Sequence, residues 1–146
     1  MKTTWCLIVL LWPACALAQS SAENCPELPA GSGLDWDVTE NTGFVYCKAI
    51  RDNGSQAFAV MLRAESSFRG ERQLREEEGV IDGHKVRWYR SEIVLQPGML
   101  VRETLVGLGR RSTAHIVVRA TSEDQLADNR RLAEGLRFRN TALGGD

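Results

Sequence analysis

Residues 113–138 constrain the fold more than any other stretch, because a strand pattern runs directly into a helix pattern there. Apolar and polar residues alternate from 113 to 120, which is the period-two pattern of a half-buried strand. Ser122 then offers a side-chain oxygen to the first free N–H groups of a helix, and Gln125 can complete a capping box. Gly135 suits the left-handed position that ends such a helix.

The predicted helix has one apolar stripe and an otherwise charged surface. The stripe consists of Leu126, Leu132, Ala133 and Leu136. A helix of this kind is stabilised by packing its stripe on an apolar surface, and the hairpins before it supply a sheet. Asn129 interrupts the stripe, and burying an unpaired amide costs about 1–3 kcal/mol. We therefore expect Asn129 to bond to a backbone group where the helix meets the sheet, with a ligand contact as the alternative.

Three turns with glycine divide the preceding chain into hairpins. They are Asn53-Gly54 and Asp82-Gly83, which favour two-residue hairpin loops, and Pro97-Gly98, which favours a type II turn. The first two turns predict these opposite pairs: Cys47 with Val60, Glu78 with Arg87, and Glu76 with Tyr89. The last hairpin leaves two registers open, with Glu103 opposite Val118 or opposite Arg119. A slip of one residue reverses which side chains face the core.

These elements predict an α+β fold, in which an antiparallel β-meander is covered by one C-terminal α-helix. We expect a single small domain at residues 34–140, after an extended arm at 19–33 and before a disordered tail at 141–146. The length of 146 residues and the hydrophobic content of 43% fit one globular domain. The formal net charge of −1 does not favour a nucleic-acid-binding protein.

Residues 1–18 have the pattern of a cleaved secretory signal peptide. Their apolar core is shorter than the roughly 20 residues that a membrane-spanning helix needs, and Ala16-Leu17-Ala18 is a small-residue cleavage signal. We expect a periplasmic or secreted protein without stable membrane insertion after cleavage. Cys25 and Cys47 then remain, and we expect them to form one disulfide that stabilises the fold by about 2–4 kcal/mol.

The second half of the chain also shows a recognisable order of elements. It consists of the hairpin at 79–86, the strand at 114–120, the helix at 122–134 and the final Leu136-Arg137-Phe138. In this order and spacing it resembles the PsbP-like domains, which are α/β sandwiches with an antiparallel sheet. The resemblance implies a non-enzymatic accessory or binding domain. No functional motif of that group matches residue by residue, so no site residues are carried over.

Motifs for catalysis, cofactors and metals are missing from the sequence, which has only two histidines. We therefore predict no catalytic, cofactor-binding or metal-binding residue. One alternative stays open, because the Pro97-Gly98 turn places Glu92 opposite Glu103, and opposed carboxylates can raise a pKa and support acid–base chemistry. That alternative is a small periplasmic ligand-binding domain or hydrolase that uses Glu92, Glu103 or His115.

The segment at 65–78 is long and charged, whereas the other connections are tight turns. Long irregular segments on a rigid scaffold often carry function. We expect its large apolar side chains either to fold back on the sheet or to wait for a partner. The predicted partner-binding residues are Phe68, Arg69, Arg72, Leu74 and Arg75. The function that follows is an exported, non-enzymatic binding protein of the bacterial envelope, of accessory, inhibitor or immunity type, whose partner is another envelope protein.

Overall fold

The computed structural model describes residues 21–91, 96–109 and 111–138, in which seven strands form one antiparallel sheet and one α-helix packs on it. The predicted α+β class is confirmed. The predicted signal peptide and C-terminal tail lie outside the described residues. The strands are Leu34–Asn41 (β1), Phe44–Arg51 (β2), Gln56–Arg63 (β3), Arg75–Ile81 (β4), His84–Arg90 (β5), Leu100–Gly107 (β6) and Thr113–Ala120 (β7), and the helix is Glu123–Glu134 (α1).

The order of the strands in the sheet is β1-β2-β3-β7-β6-β5-β4. Two meanders, β1–β3 and β4–β7, are therefore joined side by side, with β3 and β7 as the shared centre. Residues 64–74 must cross from the centre of the sheet to its far edge to reach β4. We call residues 64–74 the crossing segment; it includes one short 3-10 turn, Arg72–Leu74.

The core lies between α1 and the face of the sheet that we call the inner face. Alternate residues of each strand point to this side, as the period-two pattern predicts. In α1, Leu126, Ala133 and the following Leu136 are buried, whereas Leu132 is only partly buried. The largest side chains that are completely enclosed on the sheet include Trp88, Phe58, Leu62, Ile81, Ile116, Val60 and Val118.

The two ends of α1 differ in how well they match the predictions. Ser122 caps the first turn, because its Oγ accepts from the Gln125 N–H at 3.2 Å, and Gln125 Oε1 accepts in turn from the Thr121 N–H at 2.8 Å. The prediction that Gly135 is left-handed is wrong, since its φ is −80°. Glycine is needed there for space: a Cβ would lie 2.8 Å from Pro29 Cγ. The extended arm therefore packs against the end of the helix.

The N-terminal arm is fixed to the domain at several points. The predicted disulfide between Cys25 and Cys47 is confirmed, with a Cα–Cα distance of 6.0 Å. Trp36 Nε1 donates to the Pro26 carbonyl at 2.8 Å. Glu27 and Arg137 exchange two backbone hydrogen bonds of 2.8 and 3.2 Å, so the arm pairs with the chain that follows α1. Among the described residues, no helix is long and apolar enough to cross a membrane.

The first turn gives the expected register by a different geometry. Cys47 lies opposite Val60, as predicted. The loop is longer than two residues, because the Arg51 N–H bonds to the Ser55 carbonyl at 2.9 Å, and an irregularity near Ala49 absorbs the extra residue. Asn53 Oδ1 accepts from the Ser55 N–H at 3.0 Å, and Gly54 has a φ of +80°.

The Asp82-Gly83 turn has the predicted positive φ values of 47° and 80°, and Glu78 lies opposite Arg87 as expected. The pairing of Glu76 with Tyr89 is wrong, because Arg75 lies opposite Tyr89. A bulge between Arg75 and Glu78 adds an extra residue to β4 and moves the register.

The two later hairpins also depart from the predicted registers. Tyr89, rather than Glu92, lies opposite Glu103. In the last hairpin neither predicted register occurs, since Glu103 lies opposite Val117. The turn there begins at Leu108, whose N–H bonds to the Ser112 carbonyl at 2.9 Å, and it uses positive φ at residues 109 and 111. Glu103 therefore points away from α1, onto what we call the outer face.

Candidate functional site

The outer face of β5, β6 and β7 collects the polar and aromatic residues that the sequence singled out. Tyr89 lies opposite Glu103, and Leu105 lies opposite His115. Because neighbouring side chains alternate, Tyr89, Glu103 and His115 all lie on the outer face. Each of them is half-buried, so another part of the chain covers this face of the sheet.

Phe68 of the crossing segment covers this part of the sheet. Its ring stacks on His115 with a centroid distance of 4.8 Å and an interplanar angle of 19°, and it meets the edge of Tyr89 at 5.7 Å. Gly70, two residues later in the chain, lies so close to Tyr89 that a Cβ there would be 2.2 Å from Tyr89 Cζ. The backbone of the crossing segment thus rests directly on the tyrosine ring, and Phe68 is folded back on the sheet. Its role in partner binding stays a prediction.

His115 and Glu103 form the polar base of this stack. The His115 Nε2 and Glu103 Oε2 atoms are 2.9 Å apart, and both side chains are largely covered. The hydrogen bond to His115 lowers the pKa of Glu103, outweighing the opposite effect of burial, and Ser91 and Arg119 add to the lowering. The opposed pair of Glu92 and Glu103 is wrong, because Tyr89 occupies the position across from Glu103; Glu92 itself lies outside the described residues.

Two of the predicted arginines, Arg69 and Arg72, extend from the crossing segment, and the third, Arg75, is the first residue of β4. Arg69, Arg72 and Arg75 are exposed, and Leu74 is half-buried. An Arg69 guanidinium nitrogen donates to the carbonyls of Ser66 and Phe68 at 2.8 and 2.9 Å, which fixes the side chain along the segment. Within the described ranges, no carboxylate lies at ion-pair distance from any of these three arginines.

Several arginines elsewhere on the domain have acidic partners. The ion pairs join Arg87 to Glu78, Arg102 to Glu77 at 3.1 Å, Arg130 to Glu77 at 2.8 Å and Arg131 to Asp128 at 2.9 Å. The three arginines at positions 69, 72 and 75 differ from these ion-paired arginines, and they lie close together in sequence. Their guanidinium groups are exposed, alongside the exposed carboxylates of Glu65 and Glu71.

One polar cluster on the inner face was missed by the sequence reasoning. Arg102 is only 8% exposed and reaches two carboxylates of β4, Glu76 and Glu77, at 3.8 and 3.1 Å. Burial raises the pKa of Glu77, but a backbone hydrogen bond and the charges of Arg102 and Arg130 prevail, so that the net shift is downward. The bulge in β4 places the two glutamates here. The run of three glutamates at 76–78, which cannot alternate between core and solvent, was the available signal.

Asn129 is completely buried, as its place in the apolar stripe predicted. Its Nδ2 donates to the Arg119 carbonyl at 2.9 Å, and its Oδ1 accepts from the Arg51 guanidinium. The expectation of a backbone partner where α1 meets the sheet is confirmed. Asn129 thus acts as a structural link between α1, β7 and β2.

No group of three or more histidine, cysteine, aspartate or glutamate side chains in the described part of the chain is placed to hold a metal ion. A comparison of the chain with models of protein families, with curated proteins and with solved structures finds no significant match. The resemblance to PsbP-like domains therefore stays a prediction.

Proposed function

We propose that this chain is an exported, non-enzymatic binding protein of the bacterial envelope, of accessory, inhibitor or immunity type, that contacts another envelope protein. The observation that carries the proposal is the group of exposed arginines Arg69, Arg72 and Arg75, which have no carboxylate partner among the described residues. Arginine is enriched at protein interfaces, where its planar guanidinium binds carboxylates in a fixed geometry. The partner surface that fits these residues is acidic.

The crossing segment is suited to binding because the sheet already holds it in place. Phe68 packs on His115, and the backbone at Gly70 rests on Tyr89. A segment that is ordered before binding loses less conformational entropy when a partner arrives. The arginines then add electrostatic steering, which makes the rate of association depend on salt.

Export is supported by the disulfide and by the pattern of residues 1–18. A disulfide persists in an oxidising compartment such as the periplasm or the extracellular space, and Cys25 and Cys47 are bonded. The protein purified from its own compartment is expected to have the mass of residues 19–146 less two hydrogens. A retained first methionine, a bound lipid or two free thiols would contradict export with oxidation.

The competing function, a small hydrolase or ligand-binding domain, has one observation in its favour: the close pair of Glu103 and His115. In this structure the Nε2 atom of His115 bonds to Glu103, and one face of its ring is covered by Phe68. Both features favour a role in holding the crossing segment. If the protein is a hydrolase that uses His115, the His115→Gln variant should still bind substrate but no longer hydrolyse it. If it is a binding protein, neither the wild type nor the variant should hydrolyse a substrate.

Affinity capture with matched variants tests the proposed binding. The mature chain would be immobilised, exposed to envelope extract and washed, and the bound proteins identified by mass spectrometry. We expect one protein to bind to the wild type and to the control Arg131→Gln/Arg137→Gln, and to be lost with Arg72→Gln/Arg75→Gln and at high salt. All four substitutions replace exposed arginines, so the stability should change by no more than about 0.5 kcal/mol for each. Equal capture by the two double variants would refute a role for Arg72 and Arg75 in binding.

A further inference from the structure

A shallow cleft of about 330 Å³ opens between the crossing segment and strands β5 and β6 on the outer face. Three cationic side chains line it: Arg69, Lys85 and Arg87. Its apolar walls are formed by Phe68, Tyr89 and Leu105. Among the described residues that line the cleft, none is acidic. The cleft therefore combines positive charge with aromatic and aliphatic surface.

The alternation of β5 explains why the charges collect there. Lys85, Arg87 and Tyr89 point to the outer face, while Val86 and Trp88 are buried on the inner face. Arg87 has one ion-pair partner, Glu78 of β4, but the Glu78 side chain is 73% exposed. An ion pair this exposed contributes little and can be exchanged for another carboxylate.

We propose that this cleft binds a carboxylate that is attached to an apolar or aromatic group. The planar guanidinium groups of Arg69 and Arg87 match the two oxygens of a carboxylate, and the Lys85 ammonium adds charge. The rings of Phe68 and Tyr89, together with Leu105, accept the apolar part of the ligand by burying it from water. The ligand is either a small free molecule or a carboxylate on a protein chain, and the two share this chemistry.

This inference goes beyond the proposed function, because a small carboxylate can be tested without any envelope partner. A suitable pair of probes is N-acetyl-phenylalanine, which is a carboxylate, and its neutral amide, which has the same ring. Each would be titrated at constant ionic strength into the ¹⁵N-labelled mature chain and followed by NMR. We expect saturable shifts for the acid alone, centred on residues 68–70 and 85–89.

Charge-removing variants locate the site. Lys85→Gln and Arg69→Gln should each weaken binding of the acid by roughly tenfold, since each removes a charged contact to the carboxylate. The control Arg131→Gln, which removes an exposed arginine on α1, should leave the affinity unchanged. If Arg69→Gln disturbs the crossing segment, Lys85→Gln still decides, because Lys85 is an exposed residue of β5, outside that segment.

The source of the carboxylate is distinguished by a blocked peptide, acetyl-Ala-Glu-Phe-Ala-amide, whose only carboxylate is the glutamate side chain. Binding of the peptide alone would indicate a protein ligand, and binding of the amino acid alone would indicate a small molecule. Binding of both would show that the cleft accepts this chemistry from either source. The inference is overturned if neither probe binds, if the neutral amide shifts the same residues equally, or if Lys85→Gln binds as well as the wild type.

Discussion

Asn129→Ala removes a fully buried polar contact between the helix and the sheet. The asparagine side chain is completely buried and makes two hydrogen bonds, one to the carbonyl of Arg119 on β7 and one from the guanidinium of Arg51 on β2. Alanine keeps the helix but removes both bonds. The carbonyl and the guanidinium are then left in a site that α1 shields from water.

The expected loss follows from the two bonds. A neutral hydrogen bond contributes about 0.5–1.5 kcal/mol to the free energy of unfolding, and one that involves a charged group contributes about 1.5–3 kcal/mol. Asn129→Ala should therefore destabilise the protein by roughly 2–4.5 kcal/mol. Asp128→Ala is the matched control. It changes the adjacent residue of α1, whose exposed ion pair with Arg131 should contribute no more than about 1 kcal/mol.

Urea unfolding, followed by circular dichroism, measures both free energies. We expect a lower midpoint for Asn129→Ala with an unchanged slope, because the surface exposed on unfolding stays nearly the same. A double-mutant cycle with Arg51→Met then isolates the charged bond, for which we expect a coupling of about 1–3 kcal/mol. A loss below about 1 kcal/mol for Asn129→Ala, or equal losses for Asn129→Ala and Asp128→Ala, would refute the structural role.

Three other perturbations test separate parts of the fold. Replacing Cys25 and Cys47 by serine should lower the free energy of unfolding by about 3 kcal/mol, because the disulfide closes a loop with a sequence separation of 22. Urea unfolding measures this loss, and the wild type with its disulfide reduced should have the same stability as the variant. Glu103→Gln should destabilise the protein above pH 4.5, the ordinary pKa of the group, because the folded state lowers the pKa of Glu103. The difference in unfolding free energy between wild type and variant should shrink as the pH falls through the lowered pKa. An equal difference at every pH from 7 to 2 would contradict this prediction. Gly135→Ala should displace the N-terminal arm and lower the free energy of unfolding by roughly 1–3 kcal/mol, because the added Cβ clashes with Pro29. Amide hydrogen exchange in the arm should become faster. A second substitution, Pro29→Ala, should restore part of the lost stability.

Local patterns predicted most of the elements correctly. The alternation along β7, the cap at Ser122 and the Asp82-Gly83 turn depend on neighbours in sequence, and the structure contains all three. Registers were predicted less well, because turn residues alone do not reveal an extra residue in a strand or a longer loop. The bulge that moves Arg75 opposite Tyr89, and the longer turn from Leu108, are both of this kind.

The candidate site depended on the order of the strands, which local patterns do not determine. Because β3 pairs with β7, the crossing segment must pass β7, β6 and β5 to reach β4, and the contact of Phe68 with His115 shows that it passes over the outer face. A single meander would have placed β4 beside β3 and left Phe68 elsewhere. Part of the positive charge of the cleft could be predicted from the sequence, because Lys85 and Arg87 alternate with buried residues in β5.

The pairing of β3 with β7 has a consequence for the order in which the chain is made. Synthesis runs from the N-terminus, so the β1–β3 meander is complete while its central neighbour is still missing. Arg63 and Thr113, which bond across this junction, are 50 residues apart. Until β7 is made, one edge of β3 has unpaired backbone groups that another chain can bind. If the β1–β3 meander folds before β7 is available, the future centre of the sheet is an exposed edge, and pairing with β7 ends that exposure.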